Sequence, residues 1–332
     1  MDWAFVGRKL YRIHGELWRT EWVEPAASSP RVRDDTLAPT VFFLTDASGK
    51  RESRDTLKED GRWLWFKPDV IMTLAHRRGG ALEWYTRDTG GVRCSPDYRV
   101  HFGINRLGLV NVYAKDIALL PDWQQQLWAA YNVSPDGGVS AELLESQVEA
   151  EPAETQAPEA YLPRVISLLN SLASERLGFA LFREHAQYRA IVAHAHRFRA
   201  IDAAGLYALA KDIARLTADS IDGSSLQKIV APPKGTNWGS LKSLEKVLGL
   251  KVGADKARTI LGPLAGAYEL RLADAHLSPE DLSNAFQLVG IDPSQPFVNQ
   301  GARLLASCVL ALYEVAEVIK TIDPGATPVA RS

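Results

Sequence analysis

Apolar residues recur at helical spacing almost without interruption after residue 160, and this half of the chain constrains the fold most strongly. Seven segments keep that spacing, and short polar or Gly/Pro links join them. About 170 residues of this pattern predict an all-α helical bundle. The predicted helices are 162–174, 179–198, 203–220, 240–248, 254–276, 279–288 and 298–322.

The first half has a different pattern, because eight of the nine tryptophans precede residue 160 and apolar residues alternate with polar ones in short segments. Such alternation predicts half-buried strands. The sequence 105–108 lies between two of them and predicts a hairpin in which Gly108 has positive φ. Helices are predicted at 68–77 and 121–131, each of which opens with Pro-Asp. The first half is therefore predicted to be an α+β module, with strands at 40–45, 62–66, 82–86, 98–102 and 109–113.

An acidic stretch separates the two patterns. Residues 101–160 carry nine acidic and two basic side chains, and the densest part, from Ser134 to Glu159, mixes Pro, Gly and Glu. This composition is typical of a connection between domains. The sequence therefore predicts an α+β sensing or docking module, an acidic linker and a helical bundle, at 1–133, 134–160 and 161–332.

Composition narrows the function classes. The net charge of -2, from 38 basic and 40 acidic residues, argues against a chain that coats nucleic acid or lipid over its whole surface. Two cysteines, Cys94 and Cys308, are too few for a disulfide framework or a four-cysteine zinc site. No run approaches the ~20 apolar residues of a membrane span. We expect a cytoplasmic protein that binds no membrane and uses neither a metal nor a cofactor.

The predicted helix 254–276 contains an anomaly. It is apolar on nearly every side, yet it includes Arg271, Asp274 and His276, and buried charges are costly unless they are paired or functional. The segment from Leu270 to His276 resembles the R-x4-6-H signature of HEPN domains. These domains are helical bundles, many of which are metal-independent ribonucleases that act as toxins or antiviral effectors. The resemblance covers the helical half only.

Other Arg–His pairs have similar spacing, at 8–14, 189–194 and 189–196, so spacing alone does not select the site. The pair at 271–276 is preferred because its surroundings are apolar and it lies at a helix end, directly before a new helix start at Ser278-Pro279.

The resemblance implies an endoribonuclease mechanism. His276, near a helix C-terminus, would remove the proton of an RNA 2′-hydroxyl, and that oxygen would attack the adjacent phosphorus. Arg271 would stabilise the negative charge on the phosphoryl oxygens without a metal, and Asp274 would hold Arg271 in orientation. The products would be a 2′,3′-cyclic phosphate and a 5′-hydroxyl.

Helix geometry adds a condition. Arg271 and His276 lie about 140° apart on a straight helix, so one helix cannot aim both side chains at one phosphate. Either the helix ends near Asp274 and frees His276, or two copies of the chain share the site. HEPN nucleases resemble the second case, so we expect a homodimer.

A second group of residues lies on the predicted helix 179–198. His185, Arg189, His196 and Arg199 fall on one face at helical spacing, and this stripe would hold the RNA backbone. The alternative is an ordinary solvated helix face.

The competing hypothesis for the whole chain is a non-catalytic adaptor that oligomerises through a HEPN-like bundle. In that case Arg271 and Asp274 form an i,i+3 ion pair and His276 caps the helix. The Trp-rich strands also have two interpretations, a module core or a stacking platform for single-stranded RNA. A regulatory protein partner would fit either hypothesis.

Overall fold

The computed structural model has a sheet region followed by a helical region, which agrees with an α+β module followed by an all-α part. Side chains are described from residue 40 onward, and only the backbone is described before it. The structure describes residues 4–6, 9–11, 40–59, 61–151, 153–184, 186–273 and 278–323.

A six-stranded antiparallel sheet organises the first region, with strand order β10-β5-β9-β8-β7-β6. Four consecutive strands, β6 to β9, form hairpins, and β5 and β10 complete the sheet on the other side of β9. The sheet strands are β5 (Trp63–Phe66), β6 (Ala81–Trp84), β7 (Thr89–Arg93), β8 (Arg99–Ile104), β9 (Val110–Tyr113) and β10 (Asn132–Val133). Two separate hairpins precede it, β1 (Ala4–Val6) with β2 (Lys9–Tyr11) and β3 (Phe42–Leu44) with β4 (Arg51–Ser53).

The alternating residues of β5 lie on opposite faces of the sheet, as predicted. Leu64 and Phe66 are fully buried, whereas Trp63 and Trp65 are half-buried on the other face. The hairpin at 105–108 is confirmed, because Gly108 has a φ of 72° and its N–H donates to the Asn105 carbonyl. Four short helices accompany the sheet: α1 (Arg54–Glu59), α2 (Asp69–Ala75), α3 (Ala114–Ala118) and α4 (Asp122–Ala129).

The acidic stretch is folded against the sheet instead of forming an open connection. It contains α5 (Ala141–Leu144) and a π-helical turn at Glu145–Glu149. Leu143 is buried over Gly103 of β8, where an added Cβ would lie 2.7 Å from the Leu143 Cβ. Part of the predicted linker is therefore a layer of the sheet region.

Within residues 158–323, as far as the structure describes them, eight α-helices form the second region. The long helix α13 supplies much of its core through buried residues such as Leu304, Leu312 and Val315. Most predicted helix positions agree with the structure to within a few residues. The helices are α6 (Pro158–Leu177), α7 (Tyr188–His194), α8 (Ala203–Leu216), α9 (Gly223–Ile229), α10 (Ser240–Val252), α11 (Ala254–Leu270), α12 (Pro279–Val289) and α13 (Phe297–Lys320).

The predicted helix 179–198 is wrong over most of its length, since α7 is the only α-helix among the residues of that range that the structure describes. Gly178, with a φ of 84°, ends α6. Phe182 then forms a β-bridge with Ile221, so this stretch is extended against the end of α8. Long-range pairing prevails here over the helical spacing.

The two regions share a core. A 3-10 turn at Arg197–Arg199 inserts Phe198 into the apolar cluster of the sheet region. The Phe198 ring stacks on Trp84 at a centroid distance of 5.6 Å and meets the edge of Phe102 at 5.6 Å. Val298 of α13 joins the same cluster. Among the described helices, none is long and apolar enough to cross a bilayer.

Candidate functional site

Arg271 lies at the C-terminal end of α11, one residue after Leu270. Its Nη1 forms an ion pair with the carboxylate of Asp219, and its guanidinium lies 3.7 Å from the ring centroid of Tyr268. The Arg271 side chain is only 20% exposed. A cation at this position also interacts favourably with the helix dipole. The ion pair and the ring contact together hold Arg271 in one place.

The other two residues of the predicted catalytic set, Asp274 and His276, lie outside the described residues. The end of α11 at Leu270 is earlier than the predicted end at residue 276. The carboxylate that meets Arg271 in the structure is Asp219, from the turn after α8, which is 52 positions away in the sequence. A partner so distant has no signature in sequence spacing.

A second arginine reaches the same turn. Arg183 donates from Nη2 to the carbonyl oxygen of Asp219 at 2.7 Å, and its backbone N–H donates to the Ser220 carbonyl at 2.8 Å. Two guanidinium groups, those of Arg183 and Arg271, therefore converge on Asp219. Sequence reasoning missed Arg183, because it lies in the segment that was predicted to be helical.

A pocket of about 660 Å³ opens beside this turn, and we call it the α6 pocket. Hydroxyl and amide groups of α6 form one wall, and the guanidinium groups of Arg183 and Arg189 form another together with the carboxylate of Glu184. Guanidinium groups pair well with phosphate oxygens, and hydroxyl and amide groups donate further hydrogen bonds to them. The polar lining includes Ser167, Asn170, Ser171, Arg183, Arg189 and Ser220.

The structure separates the members of the predicted RNA-binding stripe. Arg189 is exposed on α7 and lines the α6 pocket. His196 is 5% exposed and lies beyond the end of α7 in extended backbone. Arg199 forms an ion pair with Asp212 at 2.9 Å, and His185 lies outside the described residues. The predicted common face fails for the described members because α7 ends at His194, before the chain turns into the sheet region.

His196 belongs to a group of histidines between the two regions. The rings of His76 and His194 meet edge to face with centroids 4.9 Å apart. Burial lowers the pKa of His196 to about 4, with Glu159 acting in the opposite direction and His76, His194 and Arg199 lowering it further. His196 is therefore neutral at pH 7 and does not offer a positive charge to RNA.

The neighbouring Arg197 forms a buried ion pair with Glu159. Its side chain is 2% exposed and donates from Nε and Nη2 to the two carboxylate oxygens of Glu159, at 2.8 and 3.0 Å. Nη1 donates to Asp88 at 3.2 Å, and the guanidinium lies 4.6 Å from the ring centroid of Trp84. Arg197 thus joins the start of α6 to the turn between β6 and β7.

The charge of Arg197 also controls Glu159. Burial by itself raises the pKa of Glu159, but the charge and hydrogen bonds of Arg197 outweigh burial, so this pKa lies below its ordinary value. The sequence carried no signal for this pair, since the two residues are 38 positions apart.

Within the described part of the chain, no group of three or more His, Cys, Asp or Glu side chains is arranged to hold a metal ion. Comparison with known proteins finds no family model that matches the chain, no curated protein of matching sequence and no matching solved structure.

Proposed function

We propose that this chain is a metal-independent endoribonuclease of the HEPN type, which acts in the cytoplasm as a toxin or antiviral effector. The observation that carries the proposal is the position of Arg271, which is fixed at a helix end by Asp219, the residue before Ser220 of the α6 pocket. Arg271 stabilises the charge on the phosphoryl oxygens, and His276 transfers the proton of the 2′-hydroxyl.

The surroundings of Arg271 support this role. A guanidinium has five N–H donors, and the contact with Asp219 occupies only part of them. Asp219 and Tyr268 hold the group from two sides, an orienting role of the kind that the sequence also suggested for Asp274. Pre-positioned charge is effective because little reorganisation is needed when the transition state forms.

The α6 pocket supplies the RNA-binding part of the proposal. Arg183 and Arg189 line it from one side, and both side chains are exposed. They take the place of the stripe as the groups that contact the RNA backbone, with Arg189 common to both assignments. We keep the homodimer as part of the proposal because HEPN nucleases resemble that arrangement; α11 ends at Leu270, so the offset of about 140° on a straight helix does not extend to the Arg271–His276 pair.

The test is RNA cleavage by the purified full chain in EDTA. Arg271→Ala is expected to reduce the cleavage rate by about 10²–10³-fold, the usual effect of removing one charge-stabilising donor. His276→Ala should reduce it at least as much. Products should carry a 2′,3′-cyclic phosphate, detected by mass spectrometry.

Arg258→Ala is the matched control, since Arg258 lies on the same helix, is 66% exposed and pairs with Glu245 at 3.5 Å. It should cleave RNA at the wild-type rate. Wild-type cleavage by folded Arg271→Ala would contradict the assignment of Arg271.

A second function, the non-catalytic oligomerising adaptor, has its own support. Arg271 is mostly buried and paired, as that hypothesis requires. Leu310 of α13 and Leu288 of α12 are 59% and 41% exposed on a recess of about 310 Å³. Sedimentation velocity of Leu310→Glu tests it: a shift from dimer to monomer, combined with no RNA cleavage by the wild type, would favour the adaptor.

A further inference from the structure

A cleft separates the sheet region from the helical region on the side of α13, and it has two adjoining recesses. The first has a volume of about 490 Å³ and the second about 460 Å³. Arg87, Asp88, Arg197 and Ala302 line both of them. We call the pair the interdomain cleft. Small-molecule sites typically have volumes of this size and often lie between domains.

The first recess is polar and rich in arginine. Arg87, Arg106 and Arg197 line it together with Asp88 and Glu142. Arg87 pairs with Asp88 at 2.9 Å and with Glu142 at 3.0 Å, yet its side chain is 57% exposed. Arg106 is exposed and forms no ion pair with any residue that the structure describes. Arg106 is therefore the guanidinium of this recess without a carboxylate partner among the described residues, whereas Asp88 and Glu142 share Arg87 and Glu159 pairs with Arg197.

The second recess is aromatic and aliphatic. Tyr161 of α6 and Tyr313 of α13 line it with ring centroids 6.4 Å apart. Val309 and Leu310 extend the apolar surface, and Arg303 lies at its edge. Both tyrosines are half-buried, so each ring presents part of its surface to the recess. Aromatic surfaces of this kind favour stacking of a planar ring.

We propose that the interdomain cleft binds a nucleotide, with the base against Tyr161 and Tyr313 and the phosphate at Arg87 and Arg106. Because Arg87 lines both recesses, a phosphate at Arg87 lies at the border of the aromatic recess, where the base would stack. Guanidinium groups bind phosphate oxygens in bidentate geometry. This site is separate from the α6 pocket, so the inference does not depend on RNA cleavage.

Such binding has a consequence for the two regions. Asp88 accepts from both Arg87 and Arg197, and Arg197 is tied to Glu159 at the start of α6. A phosphate at Arg87 competes with Asp88 for that guanidinium, and Asp88 is then left to pair with Arg197. The ligand would thereby change how the sheet region is attached to the helical region.

Isothermal titration calorimetry of the full chain tests the proposal with the four ribonucleoside monophosphates and diphosphates, adenosine and inorganic phosphate as probes. At least one nucleotide is expected to bind ten or more times more tightly than adenosine or phosphate alone. Equal binding of phosphate, equal binding of adenosine or no binding of any nucleotide would overturn the two-part site.

Variants locate the binding. Arg106→Ala and Tyr313→Leu should each weaken the binding of that nucleotide at least tenfold, and Arg106→Ala should leave folding intact because the side chain is exposed. The control Arg258→Ala removes an exposed cation of α11 and should leave nucleotide affinity unchanged, while Arg183→Ala distinguishes binding in the α6 pocket from binding in the interdomain cleft. Loss of binding in Arg183→Ala with wild-type affinity in Arg106→Ala would assign the nucleotide to the α6 pocket and refute the inference.

Discussion

Replacement of Arg197 by methionine removes the buried cation that joins the sheet region to α6. Glu159 would keep its place with a side chain only 4% exposed and would lose a partner that contacts both of its carboxylate oxygens. Asp88, which is 29% exposed, would retain Arg87 at 2.9 Å. The cost of Arg197→Met therefore falls mainly on the buried carboxylate of Glu159.

The expected loss of unfolding free energy is about 3–5 kcal/mol, the usual effect of leaving one member of a buried ion pair without its partner. The lost contact between the guanidinium and Trp84 adds about 1 kcal/mol, and the methionine side chain offsets part of that by packing on the same ring. The double variant Arg197→Met/Glu159→Met buries no lone charge, so it should recover most of the loss.

Urea unfolding at pH 7, followed by tryptophan fluorescence and by circular dichroism, measures these values for both regions. Lys320→Met is the control, because Lys320 pairs with Glu317 on an exposed face of α13 and should change stability by no more than about 0.5 kcal/mol. A loss below about 1 kcal/mol in Arg197→Met, or a double variant as unstable as the single one, would refute this reasoning.

The ion pair between Glu159 and Arg197 also predicts how the free energy of unfolding changes at acid pH. The pKa of Glu159 is lowered in the fold, so its contribution is complete above the ordinary value of 4.5 and is lost as the pH falls through the folded-state pKa. The double variant lacks this carboxylate. Its stability should therefore fall less steeply than that of the wild type below pH 4.5.

Three further predictions use the same preparations. The pKa of His196 is about 4 in the folded chain, against an ordinary value of 6.5. Between these two pH values the imidazole is protonated in the unfolded chain and neutral in the folded chain. The free energy of unfolding should therefore fall by about 3 kcal/mol from pH 6.5 to 4. His196→Gln should flatten that slope in urea titrations, and an unchanged slope would rule out His196 as its source. Cys94 and Cys308 are buried, and the pKa of Cys308 is raised to about 12; Ellman's reagent should detect no thiol in the native chain and two in urea. Asp202 accepts from the Gly205 N–H at the start of α8, so Asp202→Ala should cost about 1 kcal/mol and Asp202→Asn much less.

Local patterns predicted a region with strands followed by a helical region, but they did not predict β7 or the extended stretch around Phe182. Alternation placed Leu64 and Phe66 in the sheet core, and a glycine with positive φ closed the 105–108 hairpin. Helical spacing located α6, α8 and α10 to α13, because each buries an apolar face formed by its own consecutive residues. These strands, helices and turns depend on residues that are close in sequence, so the sequence pattern predicts them.

The candidate site depended on neighbours in space, and there the sequence was less informative. Asp219 as the partner of Arg271 and Glu159 as the partner of Arg197 are brought together only by packing of the helices. The β-bridge between Phe182 and Ile221 shortened the predicted helix, and with it the face that would have carried Arg189 and His196 together. Spacing within one segment contains no information about such pairings.

The packing of Phe198 against Trp84 and Phe102 has a practical consequence for dissecting the molecule. In a fragment that starts at Pro158, the Phe198 ring would be exposed to solvent. In the complementary fragment, the apolar surface of the sheet region that contacts this ring would be exposed. Each piece would tend to aggregate through that exposed apolar surface. Biochemical work on either half is therefore best carried out by point substitution in the intact polypeptide, because truncation would divide the apolar core that the two regions share.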